Sequence, residues 1–356
     1  MKIIKIVLTG GPCAGKTTAL ESIKKYLQQN NIPVVIVPET ATELIRSIQM
    51  PLGDSTTYDF QSLVLRKQLS KEGIAEDYIK NILKPEGKCV IIYDRGILDN
   101  RAYLNSRTDI NELLKKHNLT EIEVLDSYDL VLNLLSLATC KKEEYNFSNE
   151  ARMENVEDAS VADVRTTLAW IAHRNLKIID SSISLEEETE IIIDYVKEII
   201  EGNQTRSFKR FLVNDSLSNY KIYDNNNSET LYITDYYIEG VNNNYNYVVS
   251  KREHNNDVSY VYTIYSCNEE KKCFILDKQI TKEKFFELLI NNKILKKEIR
   301  KEINFYDNWQ KYTLCFYGDY TILEIEEKKK KRELIIPDNL EIVDELGNDK
   351  VKVRKK

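Results

Sequence analysis

A glycine-rich segment close to the start of the chain, residues 10–18, limits the folds that this sequence can adopt. It reads Gly-Gly-Pro-Cys-Ala-Gly-Lys-Thr-Thr and fits the Walker A pattern G-x-x-x-x-G-K-[ST]. An apolar run over residues 3–8 precedes the segment, and a helical pattern over residues 17–29 follows it. A buried strand that passes through a glycine turn into a helix is the context in which this pattern forms a phosphate-binding loop, or P-loop.

The chemistry of such a loop explains its residue types. Glycines let consecutive backbone N–H groups turn toward phosphate oxygens, and the N-terminus of the following helix adds partial positive charge. We expect the Lys16 ammonium to contact the β- and γ-phosphates and the Thr17 hydroxyl to ligate Mg²⁺. The segment predicts Mg²⁺ as cofactor and ATP or GTP as ligand, without distinguishing the two. The predicted nucleotide-binding residues are Gly10, Gly11, Pro12, Cys13, Ala14, Gly15, Lys16, Thr17 and Thr18.

Residues 1–201 alternate short apolar runs with longer helical patterns, which predicts an α/β domain whose parallel sheet is covered by helices on both faces. The predicted strands cover residues 3–8, 34–37, 89–93, 130–135 and 176–179. The helical patterns cover residues 17–29, 60–69, 161–173 and 185–200. Sheets of this kind bind ligands outside the carboxyl ends of their strands.

Charged residues follow the second and third predicted strands. Asp94 and Arg95 come directly after the third strand, where an acid holds Mg²⁺ through water and an arginine clamps a phosphate or substrate group. A surface ion pair is the alternative for these two residues. Glu39 follows the second strand and fits a general base that orients an acceptor hydroxyl. Glu39 fits equally well beside the N-cap of the next helix, which Thr40 would supply.

A polar stretch over residues 140–158 lies where small P-loop kinases close a lid over the bound nucleotide. An arginine in such a lid neutralises charge on the transferring phosphoryl group. Arg152 is the first candidate and Arg165 the second. A solvated charged loop explains either arginine alone equally well.

The composition changes after residue 201. Residues 202–207 are polar and predict a linker. Residues 208–336 contain short runs rich in Tyr, Val, Ile and Thr, which predict an antiparallel β-barrel with one helix near residues 282–290. Residues 337–356 predict a charged, solvated tail.

Charge and cysteine content exclude several classes of protein. Lys and Arg number 51 against 57 Asp and Glu, a formal net charge of −6, so we expect no DNA or RNA partner. Six cysteines form no C-x-x-C pair and accompany three histidines, which argues against a zinc site and favours free thiols in the cytoplasm. No apolar run approaches the ~18–20 residues of a membrane span, so we expect no transmembrane segment.

The first half of the chain resembles the P-loop domain related to nicotinamide-riboside kinase, with deoxynucleoside and thymidylate kinases as more distant relatives. The motifs that carry this resemblance are residues 10–18, the Pro-Glu-Thr-Ala segment after the second strand, and residues 93–99, 149–154 and 170–173. The resemblance implies that Glu39, Asp94 and Arg95 line the nucleotide and substrate cleft, with Asp99 as a further cleft residue.

The second half is similar to the CYTH, or triphosphate tunnel, barrel. A P-loop domain followed by such a barrel resembles the TRPL translocation defect protein family. This resemblance implies a barrel pocket for a polyphosphate or a phosphoinositide. The implied pocket residues are Lys209, Arg210, Lys251, Arg252, Lys301, Glu324 and Glu326. A solvated basic strand edge is the alternative for the first four of them.

The chain departs from the CYTH pattern at positions that hold metal in that family. The two acidic positions of the family's E-x-E-x-K pattern are Arg206 and Phe208 here. A later lysine corresponds to Tyr265, and the second basic member of a pair that begins at Lys301 corresponds to Ile303. Without one pair of metal-binding carboxylates, we expect the barrel to bind a polyanion without hydrolysing it.

Three functions fit these patterns. The first is a P-loop enzyme that transfers the γ-phosphoryl group of ATP or GTP to a small acceptor or to water, with Glu39 as base. The second is a nucleotide-dependent switch whose barrel binds a phosphorylated metabolite, a lipid head group or a protein. The third is a triphosphatase in the barrel, which the missing acids disfavour.

Overall fold

The computed structural model describes residues 2–48, 57–140, 156–180, 182–214, 227–267, 271–329, 334–337 and 340–346. Contacts between residues divide the chain into two compact units, residues 1–200 and 201–356. None of the helices in the described ranges combines the length and apolarity needed to span a bilayer.

The first unit is built on a parallel sheet with the strand order β2-β3-β1-β4-β5. Its strands are β1 (Lys2–Gly10), β2 (Val34–Val37), β3 (Lys88–Asp94), β4 (Leu130–Leu134) and β5 (Leu176–Ile179). Its helices are α1 (Lys16–Gln29), α2 (Thr40–Ile48), α3 (Thr57–Asp77, continued by a π-helical turn, Tyr78–Leu83), α4 (Asp99–Ala102), α5 (Arg107–Lys115), α6 (Glu121–Ser127), α7 (Leu137–Cys140), α8 (Val156–Ala169) and α9 (Leu185–Glu201).

The strands form because their apolar runs are buried on both faces of the sheet. On one face, α1 and α9 pack together against β1, as in the cluster of Ile6, Ile23 and Val196. The other face carries aromatic rings in edge-to-face contact, with Tyr128 between Tyr93 (5.3 Å) and Trp170 (5.6 Å). The expected parallel sheet with helices on both sides is therefore confirmed. Helices α5 and α6, which the sequence pattern did not predict, begin at the capping boxes of Ser106 and Thr120.

The second unit is an antiparallel sheet closed into a barrel of eight strands, with a ninth strand added at the rim. Its elements are β6 (Gln204–Val213), β7 (Ser228–Ile238), β8 (Asn246–His254), β9 (Asp257–Cys267), β10 (Lys271–Ile280), α10 (Lys282–Asn291), β11 (Ile294–Asp307), β12 (Gln310–Phe316), β13 (Thr321–Glu326) and β14 (Ile342–Leu346). The strand order is β10-β9-β8-β7-β11-β12-β13-β6-β14, and pairing of β10 with β6 closes the ring. The expected barrel is confirmed.

Two boundaries differ from the sequence prediction. Strand β6 begins at Gln204 and pairs with β10, so most of the predicted linker, residues 202–207, lies in the barrel wall. The residues of this strand are polar because one of its faces lines a polar barrel interior, and a polar segment between two domains resembles a linker in the sequence. The predicted tail, residues 337–356, contains β14, which pairs with Arg210–Val213 of β6. Among the described residues, β14 pairs along one edge, with β6. Its charged residues therefore resemble a solvated tail in the sequence rather than a strand.

Two clusters of apolar residues pack on the outside of the barrel. One cluster includes Phe211, Leu314 and Ile325, and Leu340 packs onto it. A second forms where Phe285 of α10 packs against Val249 and its neighbours. Because side chains alternate across a strand, the polar residues that lie between these apolar residues point into the barrel.

Candidate functional site

The loop between β1 and α1 has the backbone geometry that its glycines permit. Gly10 has φ 136° and Gly15 has φ 74°, values in the left-handed region that favours glycine. A Cβ on Gly10 would lie 2.0 Å from the carbonyl oxygen of Leu134 in β4, so the loop passes too close to that strand for any side chain. Cys13 also has a positive φ, 55°.

Lys16 is the first residue of α1 and is buried. Its Nζ donates hydrogen bonds to the carbonyl oxygens of Gly10 (3.0 Å) and Gly11 (2.8 Å), which hold the ammonium group over the loop. Thr17 and Thr18 follow in the first turn, and both are exposed. The ammonium group and the N-terminus of α1 thus concentrate positive charge at one place.

Asp163 of α8 holds the loop from the opposite side, a role that the sequence did not indicate. Its Oδ1 accepts a hydrogen bond from the Gly11 N–H (2.8 Å). Its Oδ2 accepts from the Ser136 N–H (3.0 Å) and from the Thr139 hydroxyl (2.7 Å). Burial raises the pKa of Asp163, and these three hydrogen bonds oppose that rise. The Ser136 hydroxyl donates to the carbonyl oxygen of Pro12, so β4, α7 and α8 together position the loop.

Asp94 is the last residue of β3 and lies opposite Leu8 of β1, two residues before the loop. Its Oδ1 is buried and accepts no hydrogen bond from any described residue. Burial and the nearby Glu39 raise the pKa of Asp94, while Lys16 and Arg95 lower it. An orphaned carboxylate oxygen surrounded by two cations and a second acid has the electrostatics of a cation ligand.

Arg95 and Glu39 form an ion pair beside Asp94. Arg95 has φ 71°, and its Nε donates to Glu39 Oε1 (2.8 Å). Glu39 Oε2 accepts from the Thr42 hydroxyl (2.7 Å) in α2. Burial acts to raise the pKa of Glu39, but Arg95 and the hydrogen bonds outweigh it and leave this pKa below its usual value. Arg95 Nη1 is buried without a hydrogen-bond partner among the described residues.

Asp99 is buried and stabilises the turn after β3. It accepts hydrogen bonds from the Thr9 hydroxyl and from the Gly96 N–H (2.7 Å). Its Oδ1 also lies 3.6 Å from Arg95 Nη1. The Asp99 contacts therefore fix the positions of both strand ends that border the phosphate loop.

Helix α3 supports this edge of the sheet through a chain of buried polar groups. Gln68 accepts from the Thr40 hydroxyl (2.5 Å) and donates to the carbonyl oxygen of Arg95 (3.2 Å). It also donates to Glu72 (2.9 Å), which accepts from the Tyr128 hydroxyl (3.0 Å). Burial raises the pKa of Glu72 to about 7. This network connects the segment that carries Glu39 with the one that carries Asp94.

The lid arginine is not placed by the structure. Arg152 lies outside the described residues. Arg165, the second candidate, lies on an exposed face of α8.

The interior of the barrel is lined by charged side chains from alternate positions of its strands. Cross-strand registers and side-chain contacts place six cations inside: Arg206, Arg210, Arg252, Lys272, Arg300 and Lys311. The same registers place acids from β7, β10, β11 and β13 inside: Glu229, Asp235, Asp277, Glu298, Glu302, Glu324 and Glu326. Of the seven residues expected to form an anion pocket, Arg210, Arg252, Glu324 and Glu326 face the interior.

The other three expected pocket residues face outward, which corrects the prediction. Lys209 is exposed and pairs with Glu345 (3.1 Å), Lys251 pairs with Glu253 (2.9 Å), and the ammonium of Lys301 lies over the Phe316 ring. Adjacent residues of a strand point to opposite faces, so Lys209 and Arg210 cannot both face the interior. On β11 the inward cation is therefore Arg300, one residue before Lys301.

Arginines pair with most of the interior acids. Arg210 Nε lies 2.6 Å from Glu324 Oε1, and Arg206 lies 3.4 Å from Asp277. Arg300 pairs with Asp235 and with Glu302. The sequence predicts Glu324 and Glu326 as the remaining acids of the barrel, and the structure adds Asp235, Asp277 and Glu302 to its interior. Guanidinium groups pair with these three added acids and with Glu324.

Burial destabilises the charged form of three interior cations. Burial lowers the pKa of Lys311 to about 8 and that of Arg252 to about 10. Burial also lowers the pKa of Lys272, whose ammonium contacts the Phe208 and Tyr265 rings and has no hydrogen-bond or ion-pair partner among the described residues. An anion that entered the barrel would relieve this cost.

Comparisons with known proteins bear mainly on the first unit. The profile of the AAA_28 family, described as an AAA domain, matches residues 5–188, more than half of the chain. No curated protein matches the chain in sequence.

Solved structures similar to the chain include the PH1819 protein from Pyrococcus horikoshii OT3, with 16% identity over 36% of this chain and 80% of that chain, at a TM-score of 0.29. The inorganic triphosphatase NE1496 is 15% identical over 41% of this chain and 88% of its own, at a TM-score of 0.28. Likenesses at these TM-scores carry no conclusion about what the chain binds.

The region matched by the family profile contains the phosphate loop, Asp94 and Asp163. It also contains the whole parallel sheet from β2 to β5 and most of β1. The chain therefore belongs to the AAA_28 family of AAA domains, and its first unit is a P-loop-like nucleotide-binding domain.

Proposed function

We propose that the first unit binds ATP or GTP with Mg²⁺ and transfers the terminal phosphoryl group to a small acceptor or to water. The observation that carries this proposal is the orphaned Oδ1 of Asp94 at the end of β3. A buried carboxylate oxygen without a donor costs free energy, and such costs are concentrated at functional sites. Here it lies one strand away from a loop that concentrates positive charge.

The residues present fit a magnesium ion. Asp94 supplies a hard, anionic oxygen, and the exposed Thr17 hydroxyl supplies a second oxygen at the start of α1. Asp94 and Thr17 would hold the ion, which would supply positive charge to offset the negative charge of the terminal phosphates. The burial that raises the pKa of Asp94 would be offset by such a cation.

The remaining steps fall to side chains of the chain itself. The Lys16 ammonium exchanges the loop carbonyls of Gly10 and Gly11 for phosphate oxygens, and the loop N–H groups hold the rest of the triphosphate. Arg95 Nη1 donates a hydrogen bond to the transferring group or the acceptor. Glu39 orients the acceptor hydroxyl; its lowered pKa makes it a weak base, which suffices because a loose transition state needs little proton removal in advance.

The test is to incubate the full chain with γ-labelled ATP or GTP and a panel of nucleosides, and to follow label into an acceptor or into phosphate. Glu39→Gln should slow transfer to an acceptor hydroxyl. Glu43→Gln, which removes an exposed acid from α2, the helix that follows Glu39, is the matched control and should leave the rate unchanged. Absence of label transfer to any acceptor or to water would contradict the proposal.

For the barrel we infer a second function, binding of a polyanion such as a polyphosphate or a phosphoinositide head group. The unpartnered Lys272 and the lowered pKa of Lys311 favour this function because a bound anion would stabilise both charges. Hydrolysis is disfavoured since Arg206 and Phe208 occupy interior positions of β6, and Arg210 engages Glu324. Together the two sites support a nucleotide-dependent switch as the alternative to a free-standing kinase.

This second function is tested with tripolyphosphate and with soluble inositol phosphates, titrated into full-length Lys16→Ala so that the phosphate loop does not compete. Binding without phosphate release is the expected result. Rapid phosphate release would favour the triphosphatase instead, and absence of binding would leave the barrel without an anion ligand.

A further inference from the structure

Glu188 is a buried acid next to the phosphate loop that the proposed chemistry does not use. It lies in the first turn of α9 with 6% of its surface exposed. Its Oε1 lies 3.7 Å from the position that a Cβ on Gly15 would occupy. Packing of α9 against α1, through Ile192 and Val196 against Ile23, fixes this position.

The carboxyl group of Glu188 has no hydrogen-bond or ion-pair partner among the described residues. Burial alone raises its pKa to about 7. The nearby Asp180 differs, because its two oxygens accept hydrogen bonds from the N–H (2.7 Å) and hydroxyl (2.9 Å) of Ser182. A desolvated, unpaired carboxyl next to an anion-binding loop is unfavourable unless a ligand supplies a hydrogen-bond donor.

The strand order indicates which part of the nucleotide reaches Glu188. Glu39 and Asp94 lie on the β2 and β3 side of the phosphate loop, where the terminal phosphate and the acceptor would meet. Glu188 follows β5, on the other side of β1. With the triphosphate on the loop and its terminal phosphate toward β3, the nucleoside extends toward β4 and β5.

We propose that Glu188 recognises the nucleoside half of the bound nucleotide, by accepting a hydrogen bond from an N–H group of the base or from a ribose hydroxyl. The inference rests on the proposed nucleotide binding and adds a specificity-determining residue to it. A site built around such an acceptor discriminates strongly against analogues that lack the donor, because the acceptor is then left buried and unpaired.

The test is calorimetric titration of the full chain with ATP, GTP, purine riboside triphosphate, and the 2′-deoxy and 3′-deoxy nucleotides. Purine riboside triphosphate lacks base N–H donors, and the deoxy nucleotides lack single hydroxyls, so the panel separates the two sources of the hydrogen bond. The wild-type chain should bind one natural nucleotide about tenfold or more tightly than the analogue without the relevant donor. Glu188→Ala should reduce this ratio to near one while still binding the analogue.

Glu186→Ala removes an exposed acid from the same turn and should leave the ratio unchanged. If Glu188→Ala does not bind the analogue, Glu188→Met, which keeps the side-chain length and removes both acceptor oxygens, should reduce the ratio. A wild-type chain that binds nucleotides without any such preference, or a Glu188 variant that keeps it in full, would overturn the inference. A wild-type chain that binds none of the triphosphates would instead contradict the proposed function.

Discussion

The phosphate-loop edge of the parallel sheet and the interior of the barrel both bring acids and cations together, but they pair them differently. At the sheet edge, Asp94 keeps a buried oxygen without a partner, although Lys16 and Arg95 are near enough to lower its pKa. In the barrel, arginines pair with several of the acids, and the ammonium of Lys272 has no hydrogen-bond or ion-pair partner among the described residues. An orphaned acid favours a cation ligand, and an orphaned cation favours an anion. We therefore expect the first site to depend on Mg²⁺ and the second to bind without metal.

Removal of Lys16 should have the largest effect, on the affinity of the first site for nucleotide. Lys16→Ala should weaken binding of ATP or GTP by about 10- to 100-fold, since a hydrogen bond to a charged group contributes about 1.5–3 kcal/mol. Calorimetry measures the change. Lys24→Ala, in the same helix and paired with Glu21 at 3.8 Å, is the control and should bind as the wild type does. Equal affinities for the two variants would remove Lys16 from the site.

Asp94→Asn should have the next largest effect because it removes the anionic charge and keeps the shape of the side chain. We expect turnover to fall by about tenfold or more at limiting Mg²⁺, while nucleotide binding stays measurable. Initial rates across a magnesium titration provide the measurement. A variant with the wild-type magnesium dependence would show that another group holds the metal.

Adjacent residues of β6 provide a matched test of the barrel interior. Arg210→Ala should lower the affinity for tripolyphosphate by about tenfold, because it removes an inward guanidinium group. Lys209→Ala should have no effect, since this lysine faces outward and pairs with Glu345. Both are measured in the Lys16→Ala chain. Similar losses for the two variants would contradict the orientation of the strand.

The pH dependence of polyanion binding should be the smallest effect. Lys311 has a pKa lowered to about 8, and a bound anion would raise it again. Binding therefore favours the protonated lysine, is fully present below pH 8, and weakens as pH rises above it. We expect an affinity loss of about three- to tenfold between pH 7 and pH 9.

Lys311→Gln should flatten this pH profile, whereas replacement of the exposed Lys278 by Gln should not. A profile that falls equally steeply in the Lys311 variant would assign the titration to another group.

Local motifs indicated the phosphate loop and Asp94 in the sequence because the residues of each motif are consecutive. The phosphate loop and the Asp94-Arg95 segment both follow buried strands, which the apolar runs already marked. The contact between Gly11 and Asp163 joins residues 152 positions apart, and no local pattern reports such a pair. Glu188 was missed because the run of glutamates in which it lies is also the ordinary start of a helix.

The pocket residues of the barrel are predicted from the resemblance alone, and that prediction ignores the two-residue alternation of side chains along a strand. Lys209 with Arg210 and Lys251 with Arg252 were both assigned to one pocket, although neighbours in a strand face opposite sides. The apolar residues Phe211 and Val213 continue the outward face of Lys209, a signal that was present in the sequence. Applying the two-residue period would have selected Arg210 and rejected Lys209.

The difference in metal dependence between the two sites can be measured by titration in Mg²⁺ and in EDTA. The full chain is titrated with a hydrolysis-resistant ATP or GTP analogue, and the Lys16→Ala chain with tripolyphosphate. We predict that EDTA weakens nucleotide binding to the wild-type chain by about tenfold or more and leaves tripolyphosphate binding to the variant unchanged. Nucleotide binding that is indifferent to EDTA, or tripolyphosphate binding that requires Mg²⁺, would rule out this difference between the two sites.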